Sequence, residues 1–450
     1  MIAVEFDSLL KTSGKRTAIS RGEALWTYDR LAAAGARIAA RLEDLCGQNV
    51  GVCTAEPALQ LAIFLALDRI DATAVVYPAS SSPDAVRDDD LAVPLAEIIH
   101  DGAGSRGDLR RELDSDDCAA LPFGGPSRGR VVLFTSGTAG RPKPALHTWN
   151  SLAAAVSRQA KHAARHWLLS YDISRFAGLQ VMLQALLTGG RLCVPVSREP
   201  EAVLRCLIED RVQCASATPT FWRMLLGAAT ANELRQCVLE RITLGGEATD
   251  QAILDDLNTA FPAARICHIY ASTEMGTCFT VRDGMAGFPI SYLSDKSLPC
   301  RLRIGDDGEL LIQSARAMHE YLGGVADDNQ GWFATGDIAR VEGDRVFFLG
   351  RKGECINVGG AKVYPADVEL VIRTVPGVRH VCVHRLKSSL VGELVAADIE
   401  PADAADEADL RRQILDACRQ RLAKHQVPAQ ITFQTQLTIN ASGKLARTDG

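Results

Sequence analysis

The stretch TSGTAGRPK, residues 135–143, follows directly on the apolar run VVLF and is the most informative segment of the chain. Glycines let backbone N–H groups converge on an anion without a Cβ in the way, and hydroxyls and a lysine add further donors. The residues concerned are Thr135, Ser136, Gly137, Thr138, Gly140 and Lys143. The P-loop pattern GxxxxGK[ST] is absent, and the next helix is expected only from about residue 150. Taken alone, the segment is either a phosphate-binding loop or a tight turn between a strand and a helix.

The composition of the 450-residue chain is ordinary for a globular enzyme, with 47% hydrophobic and 23% charged residues. Its net charge of −6 argues against a general nucleic-acid or membrane-surface binder. The first residues lack the order of a signal peptide, and no apolar run approaches the roughly 20 residues of a membrane span. The thirteen cysteines are scattered singly, which fits free thiols in a reducing compartment. We therefore expect a cytoplasmic protein, with its oligomeric state open.

Short apolar strands alternate with amphipathic helices up to about residue 350, which predicts an α/β fold. The alanine-rich segment 151–167 is expected to be helical, and segments 190–196 and 265–273 are expected to contain strands. After residue 349 the sequence becomes glycine-rich, and it then predicts a helix over 366–375, strands over 380–386 and 393–400, and a long charged helix over 407–425, which is the order of a small α+β unit. We expect a large N-terminal domain of layered sheets and helices over 1–350, and a small mobile α+β domain over 351–450.

The segment IYASTEMG, residues 269–276, follows a predicted strand. Loops at the carboxyl ends of parallel strands are where ligands bind in α/β sheets. Tyr270 has the flat ring that stacks on a purine, and Glu274 has the oxygen ligands that Mg²⁺ prefers. The alternative is a helix N-terminus, with Thr273 as its cap.

Two later segments carry groups that suit a nucleotide. Asp337, in the TGD turn, can accept two hydrogen bonds from ribose hydroxyls, and Arg351 can donate to ribose or phosphate oxygens. The alternative for Asp337 is an Asx turn. Lys444 lies in the glycine-led segment INASGKLAR, which taken alone is as well explained by a solvated terminus.

The order and spacing of these segments resemble the adenylate-forming superfamily: acyl- and aryl-CoA synthetases, adenylation domains of peptide synthetases, and luciferases. TSGTAGRPK resembles the family's phosphate loop, with Ala139 in place of a threonine, and YASTE resembles YGxTE, with Ala271 in place of glycine. LGGEA at 244–248 looks like the end of the adenine-pocket strand, and the segment at 350–369 looks like the family's hinge segment. GKLAR at 443–447 resembles the segment that carries the catalytic lysine. The resemblance runs from TYDRL at 27–31 to this last segment.

The resemblance implies a two-step acid–thiol ligase. A carboxylate attacks the α-phosphorus of ATP·Mg²⁺ to give an acyl-adenylate and pyrophosphate, and the thiol of CoA, or of the phosphopantetheine of a carrier protein, then displaces AMP. Lys444 would neutralise the meeting anions, Thr273 would contact the α-phosphate and Glu274 would bind Mg²⁺. Residues 135–143 would hold the β- and γ-phosphates. The remaining ATP and AMP contacts that the resemblance implies are Gly245, Gly246, Glu247, Tyr270, Ala271, Asp337 and Arg351.

The resemblance also implies that the small domain turns between the two steps about a hinge at Glu354, where the family usually has Asp or Lys. Gly359 and Gly360 would then line the tunnel for a pantetheine arm.

The sequence constrains the identity of the acid less than it constrains the reaction. The chain is similar in length to o-succinylbenzoate-CoA ligases and related aryl-acid ligases, in which an HxxG segment begins the substrate helix. Arg175 of RFAG stands where that histidine would be and could meet a substrate carboxylate or a carrier phosphate, or be an exposed loop residue. Further expected pocket residues are Phe176, Thr218, Pro219 and Thr277.

Two other functions stay open at this level. YDIS, residues 171–174, resembles the FDxS of amino-acid-activating domains, although Asp172 lies about four residues too far from Gly189. The other alternative is a nucleotide-binding relative without turnover. Such a relative is expected to have lost the lysine, glutamate or aspartate, and Lys444, Glu274 and Asp337 are all present.

Overall fold

The computed structural model of the protein describes residues 2–81, 86, 93–101, 107–115, 128–135, 142–159, 163–322, 331–388, 392–402 and 406–438. Strands and helices alternate along most of this length. The predicted mixed α/β fold is confirmed. Ser136, Gly137, Thr138, Gly140 and Lys444 lie outside the described residues.

The strands, in chain order, are β1 (Thr17–Arg21), β2 (Ala24–Thr27), β3 (Asn49–Cys53), β4 (Thr73–Val76), β5 (Glu97–His100), β6 (Arg130–Thr135), β7 (Lys143–Thr148), β8 (His166–Leu168), β9 (Arg191–Cys193), β10 (Cys214–Ala217), β11 (Arg241–Gly245), β12 (Arg265–Ser272), β13 (Gly276–Val281), β14 (Phe288–Pro289), β15 (Cys300–Ile304), β16 (Glu309–Ser314), β17 (Glu320–Tyr321), β18 (Phe333–Glu342), β19 (Arg345–Arg351), β20 (Ile356–Val358), β21 (Ala361–Val363), β22 (Val378–Ser388), β23 (Gly392–Pro401) and β24 (Gln430–Phe433).

The α-helices, in chain order, are α1 (Ile2–Ser8), α2 (Leu10–Ser13), α3 (Tyr28–Arg41), α4 (Pro57–Arg69), α5 (Arg111–Asp114), α6 (Trp149–Ala153), α7 (Phe176–Leu186), α8 (Pro200–Glu209), α9 (Pro219–Ala228), α10 (Ala231–Gln236), α11 (Gln251–Ala260), α12 (Pro365–Arg373) and α13 (Glu407–Arg421). Short 3₁₀ helices are Glu43–Leu45, Ile290–Leu293, Lys352–Glu354 and Lys424–Gln426.

Within the described residues the strands form four sheets. An eight-stranded sheet has the order β13-β12-β11-β10-β8-β9-β1-β2, and a six-stranded sheet has the order β17-β7-β6-β4-β3-β5. The five-stranded sheet β14-β19-β18-β16-β15 is antiparallel throughout. In the eight-stranded sheet β8 to β12 are parallel, so the carboxyl ends of β11 and β12 meet at one edge.

Apolar side chains of the first two sheets and their helices form the main core. Helix α4 is buried on nearly all sides, since its apolar run leaves no polar face, and it packs against α3. The helix α3 buries one stripe that includes Tyr28, Leu31 and Ile38. These packed layers fix the strand ends on which the candidate site is built.

The C-terminal elements have a core of their own. Strands β20 to β24 form one sheet, and α12 and α13 pack on it through buried residues such as Val368, Ile372 and Ile414. The predicted order of strands and helices after residue 350 is therefore correct. The boundary at residue 350 and the hinge at Glu354 stay predictions.

One predicted element is wrong. The segment 151–167 was expected to be a helix, but α6 ends at Ala153 and β8 begins at His166. Helix α7 explains the early end, because the Gln180 Nε2 donates to the carbonyl of Leu152 at 2.9 Å. Gln184 exchanges two hydrogen bonds with the backbone of Ser157. Contacts with a distant helix thus replace the local hydrogen bonds that alanine-rich sequence favours.

Among the helices that the structure describes, none has the length and apolar character needed to cross a membrane.

Candidate active site

The segment 269–276 is a hairpin. Strand β12 ends at Ser272, three turn residues follow, and the antiparallel strand β13 begins at Gly276 with φ of +67°. A Cβ at Gly276 would lie 2.8 Å from the carbonyl oxygen of Arg316, so only glycine fits there. The alternative of a helix capped by Thr273 is therefore wrong, and Thr273 and Glu274 form the tip of the hairpin.

Three of the predicted residues meet at the carboxyl end of β12. The hydroxyl of Tyr270 donates to Asp337 Oδ2, and Arg351 Nε lies 2.7 Å from Asp337 Oδ1. Asp337 and Arg351 are register partners on β18 and β19. The Asx-turn alternative for Asp337 is not observed, since the residue lies inside a strand with its carboxylate engaged by two distant side chains. Residues up to 81 positions apart in the sequence thus form one cluster.

The surroundings favour the charged form of Arg351. Burial is the largest single influence and lowers the pKa of the guanidinium, but the negative charges around it, of which Asp337 is the strongest and Glu274 and Glu354 are others, together outweigh burial and the pKa is raised. Burial, and then the Asp337 charge, raise the pKa of Tyr270 well above its usual value, so its hydroxyl stays a donor. Thr335 supports the pair: its Oγ1 accepts from the Asp337 N–H at 3.0 Å, and its carbonyl accepts from Arg351 at 3.1 Å.

The Tyr270 ring already has aromatic neighbours. It is stacked almost parallel with Phe279, at 5.3 Å between ring centroids, and with Phe348, at 5.0 Å. Parallel rings at these distances are a favourable arrangement. A purine that stacks on Tyr270 must use the ring surface that these neighbours leave, and the purine contact stays a prediction.

A second cluster joins Glu274 to Lys143. Glu274 Oε1 accepts from the Tyr321 hydroxyl at 2.9 Å, and the Lys143 Nζ lies 5.3 Å from the centroid of the Tyr321 ring. Tyr321 is placed there by β17, which pairs with β7 so that Tyr321 lies opposite Ala145. The sequence analysis missed Tyr321, because a two-residue strand leaves no periodic pattern to read.

His147 is the other residue that the sequence analysis missed. It is fully buried on β7, and its Nε2 donates to the Thr273 carbonyl at 2.7 Å. Since a carbonyl oxygen can only accept, the proton of the neutral ring is on Nε2. Burial lowers the pKa of His147 to about 4. A histidine that follows the apolar residues Ala145 and Leu146 in the same strand was the available signal.

The LGGEA segment behaves as the end of a strand. Gly245 ends β11, and a Cβ there would lie 2.9 Å from the side chain of Ile269. Gly246 has φ of +83°, which favours glycine. Glu247 turns away to accept from the N–H and hydroxyl of Thr220, both at 3.0 Å.

A cleft of about 1250 Å³ collects most of the predicted residues. Those that line it are Thr135, Arg175, Phe176, Gly245, Gly246, Ala271, Thr273, Glu274, Thr277 and Arg351. Thr218 and Pro219 do not line it: Thr218 caps α9 by accepting from the Phe221 N–H, and Pro219 is the first helical residue. The two were expected in the pocket because residues at strand ends commonly line sites, but here they form the start of helix α9.

The residues expected at the hinge and tunnel lie apart from this cleft. Glu354 ends a 3₁₀ helix that follows β19 directly. Gly359 and Gly360 form the tight turn between β20 and β21, with φ of +58° and +91° and no described atom within 4 Å of a Cβ built there. The positive φ values require glycine here.

Within the described residues no group of three or more metal-ligating His, Cys, Asp or Glu side chains occurs. A single carboxylate such as Glu274 still fits Mg²⁺, which is commonly held by one or two carboxylates together with substrate phosphates.

Comparison with known proteins agrees with this arrangement. The chain matches the AMP-binding enzyme family over residues 97–322 and the AMP-binding enzyme C-terminal domain over residues 367–444. It is 27% identical over 346 residues to a 2-succinylbenzoate–CoA ligase from Listeria monocytogenes, covering 75% of this chain and 72% of that one. It is 28% identical over 401 residues to a long-chain-fatty-acid–CoA ligase from Mycobacterium tuberculosis, covering 83% and 77%.

Solved structures share the fold. The anthranilate CoA ligase AuaEII in complex with anthranoyl-AMP superposes with a TM-score of 0.82 at 20% identity, over 98% of this chain and 95% of that one. The chain belongs to the AMP-binding enzyme family.

Proposed function

We propose that this chain is an AMP-forming acid–thiol ligase. It activates a carboxylic acid with ATP to give an acyl- or aryl-adenylate and pyrophosphate, and then transfers the acyl group to a pantetheine thiol. The observation that carries the proposal is one cleft lined both by Arg351, which belongs to the Tyr270–Asp337–Arg351 cluster, and by Glu274, which belongs to the Glu274–Tyr321–Lys143 cluster. The other four residues of the two clusters do not line the cleft themselves. Family membership and the ligase names of the relatives support it.

ATP is held at both ends of the cleft. Asp337 accepts from the ribose hydroxyls, and the ion pair with Arg351 orients its carboxylate. Gly245, Gly246 and Ala271 allow the adenine to approach the strand ends closely, since they carry little or no side chain. Thr135 and Lys143 flank residues 136–141, which bind the β- and γ-phosphates in this proposal.

Adenylation brings two anions together, so the chemistry is placement and charge neutralisation. Mg²⁺, when bound through Glu274 and the phosphates, neutralises phosphate charge. Thr273 donates to the α-phosphate, and Lys444 neutralises the carboxylate and the α-phosphate oxygens. Removal of one such preorganised donor costs on the order of 10²–10³ in rate.

Thioester formation uses the second arrangement of the small domain. Residues 351–450 turn relative to residues 1–350 about Glu354, which withdraws Lys444 and brings Gly359 and Gly360 to the thiol path. The acceptor is CoA or the phosphopantetheine of an acyl carrier protein. A cytoplasmic location belongs to the same proposal, and the described cysteines, all free thiols, support it.

The test is acid-dependent exchange of pyrophosphate into ATP over a panel of aryl, fatty and amino acids, followed by thioester assays with CoA and with carrier protein. We expect exchange with at least one aryl or fatty acid. Lys444→Ala should abolish exchange and largely spare thioester formation from preformed acyl-adenylate. If no carboxylic acid stimulates exchange, the proposal fails. Equal loss of both half-reactions in Lys444→Ala would refute the division of labour.

Activation of an amino acid is less well supported. The Asp172 carboxylate, which would have to meet an α-ammonium group, accepts from the Ser174 N–H at 2.9 Å and lies 3.6 Å from the Arg198 guanidinium. The carboxylate is thus already engaged by Ser174 and Arg198.

A further inference from the structure

Arg175 has an unusual environment for an arginine. It is the residue immediately before α7, its side chain lines the cleft, and its Nε is buried without a hydrogen-bond partner among the described residues. Arginine has five N–H donors in a fixed plane and stays charged at all ordinary pH values. The expectation of an exposed loop arginine is therefore wrong. A partly buried guanidinium in such an environment is stabilised when an anion binds beside it.

The nearby carboxylates of the chain are engaged elsewhere. Asp172, three residues earlier, accepts from Ser174 and pairs with Arg198. Glu247 accepts from Thr220, and Glu274 accepts from Tyr321. Among the described residues no carboxylate pairs with Arg175, so an anionic group of a bound molecule can take that place.

The side chains of α7 that line the cleft beside Arg175 are neutral. Phe176 and Val181 are apolar, and the amides of Gln180 and Gln184 are committed to backbone groups of residues 152 and 157. In neutral surroundings of low polarity, the attraction between a charge and an opposite charge bound beside it is stronger than in water.

Gly178 fixes the position of this wall. A Cβ on Gly178 would lie 2.2 Å from the carbonyl oxygen of Asp172, so the first turn of α7 packs directly on the preceding loop. The backbone that carries Arg175 is thus held between the closely packed loop and helix.

We propose that Arg175 binds a second anionic group on the acid, so that this chain activates acids that carry a carboxylate besides the one that reacts. This inference rests on the proposed ligase function. The reacting carboxylate is already provided for, because it must reach the α-phosphorus beside Thr273, where Lys444 neutralises it. The charge of Arg175 is not needed to neutralise the reacting carboxylate. It therefore selects acids that carry a second negative charge.

The experiment compares acids that differ only in the second charge: an aryl dicarboxylic acid, its primary monoamide and its monomethyl ester. Pyrophosphate exchange gives kcat/KM for each acid with wild type, Arg175→Gln and Arg175→Lys. A charge-assisted hydrogen bond corresponds to a factor of about 10 to 150. We expect wild type to prefer the diacid by about that factor, and Arg175→Gln to lose the preference mainly through KM. Arg175→Lys should keep part of it, because the charge remains.

Arg165→Gln is the matched control, since Arg165 pairs with Glu240 and does not line the cleft. Calorimetric titration of the diacid without ATP gives a second measurement. The affinity for the diacid should fall in Arg175→Gln and stay unchanged in Arg165→Gln. Equal rates of wild type for diacid and monoamide, or an equal loss for all three acids in Arg175→Gln, would overturn the inference while leaving the ligase function intact. Absence of exchange with every acid tested would instead count against the ligase function.

Discussion

The Asp337 carboxylate contacts side chains from two other strands. Its two carboxylate oxygens meet Tyr270 on one side and Arg351 on the other, and the residues come from three separate strands. All three residues were predicted from the sequence as nucleotide contacts, because their motifs have recognisable residue types. Their contacts with one another were not predictable, since side-chain contacts across sheets leave no local pattern in the sequence.

Replacement of Asp337 by Asn should weaken ATP binding. The amide keeps the shape but loses the charge that meets Arg351 and the ribose, and charge-assisted hydrogen bonds contribute about 1.5–3 kcal/mol each. We expect the KM for ATP to rise about 10- to 100-fold, with the KM for the acid little changed. Asp416→Asn, at an exposed ion pair with Arg419, is the control. An unaltered KM for ATP would remove Asp337 from the nucleotide site.

His147 should give the protein a measurable pH dependence. Its pKa is about 4 in the folded state and about 6.5 when unfolded, so the unfolded chain takes up the proton first as the pH falls. The stability that the neutral ring contributes is complete above pH 6.5 and is lost progressively towards pH 4, by about 3 kcal/mol in all. His147→Gln keeps a donor for the Thr273 carbonyl but does not titrate.

The difference in the free energy of unfolding between wild type and His147→Gln, measured by urea denaturation from pH 7.5 to 4, isolates this contribution from other groups. We expect the difference to change by about 3 kcal/mol in favour of the variant as the pH falls. A difference that stays constant with pH would show that His147 titrates normally.

At the scale of elements, strands and helices with strong periodicity were predicted well, and those decided by distant partners were not. Segments 190–196 and 265–273 contain strands as expected. The helix expected over 151–167 failed, because the two glutamines of α7 take up the backbone groups of that segment. Strand β17 has only two residues and exists because it pairs with β7. Such contacts depend on the whole fold rather than on local propensity.

Strand β17 places Tyr321 between Glu274 and Lys143, and so supports the Mg²⁺ site proposed at Glu274. Tyr321→Phe removes the hydroxyl that orients the carboxylate but keeps the ring beneath the Lys143 ammonium, whereas Tyr321→Leu removes both. We expect the Mg²⁺ concentration for half-maximal exchange to rise about 3- to 10-fold in Tyr321→Phe, the size of one hydrogen bond, and further in Tyr321→Leu.

Thermal shift with ATP, in the presence and absence of Mg²⁺, separates the two contributions of Tyr321 without reliance on turnover. The Mg²⁺-dependent part of the shift should shrink in Tyr321→Phe. If Phe and Leu variants both behave as wild type, Tyr321 has no part in orienting Glu274.

The first turn of α7 offers a test of packing. Gly178→Ala places a methyl group against the backbone of Asp172, and overpacking of this kind costs about 1–3 kcal/mol. Gly227→Ala is the matched control: this exposed glycine lies in α9 with no atom within 4 Å of a Cβ, so alanine should stabilise the helix by about 0.5–1 kcal/mol. Chemical denaturation of both variants measures the contrast. Equal stability of the two would contradict the observed packing.

At the scale of the whole molecule, one carboxylate ties the C-terminal elements to the rest. Asp250 caps α11 and pairs with Arg223 of α9, and its Oδ2 lies 3.7 Å from Arg373 of α12. A second ion pair, between Arg340 and Asp367, spans 3.6 Å. Neither pair has a signature in the sequence, although the strands and helices of the C-terminal part were predicted in the correct order.

Asp250→Asn should loosen this connection selectively. Asn is as good a helix cap as Asp, so α11 should persist, while the two arginines lose their shared negative charge. We expect amide hydrogen exchange to increase by about tenfold in α12, which corresponds to a loss of about 1.4 kcal/mol. Asp255→Asn, exposed on the same helix, is the control. Exchange in α12 that matches wild type would show that the Asp250 ion pair does not hold it.

The position of Asp337 affects what the presence of this aspartate in other members of the family implies about their activity. Tyr270 belongs to the eight-stranded sheet and Arg351 to the antiparallel five-stranded sheet, so the Asp337 carboxylate joins two sheets in addition to the nucleotide contact proposed for it. Selection for affinity and selection for stability therefore act on the same atoms. A descendant that abandoned nucleotide chemistry would still need this aspartate to keep its sheets together. Retention of the residue in a relative is thus weak support for activity there, whereas its loss would signal a rebuilt interior.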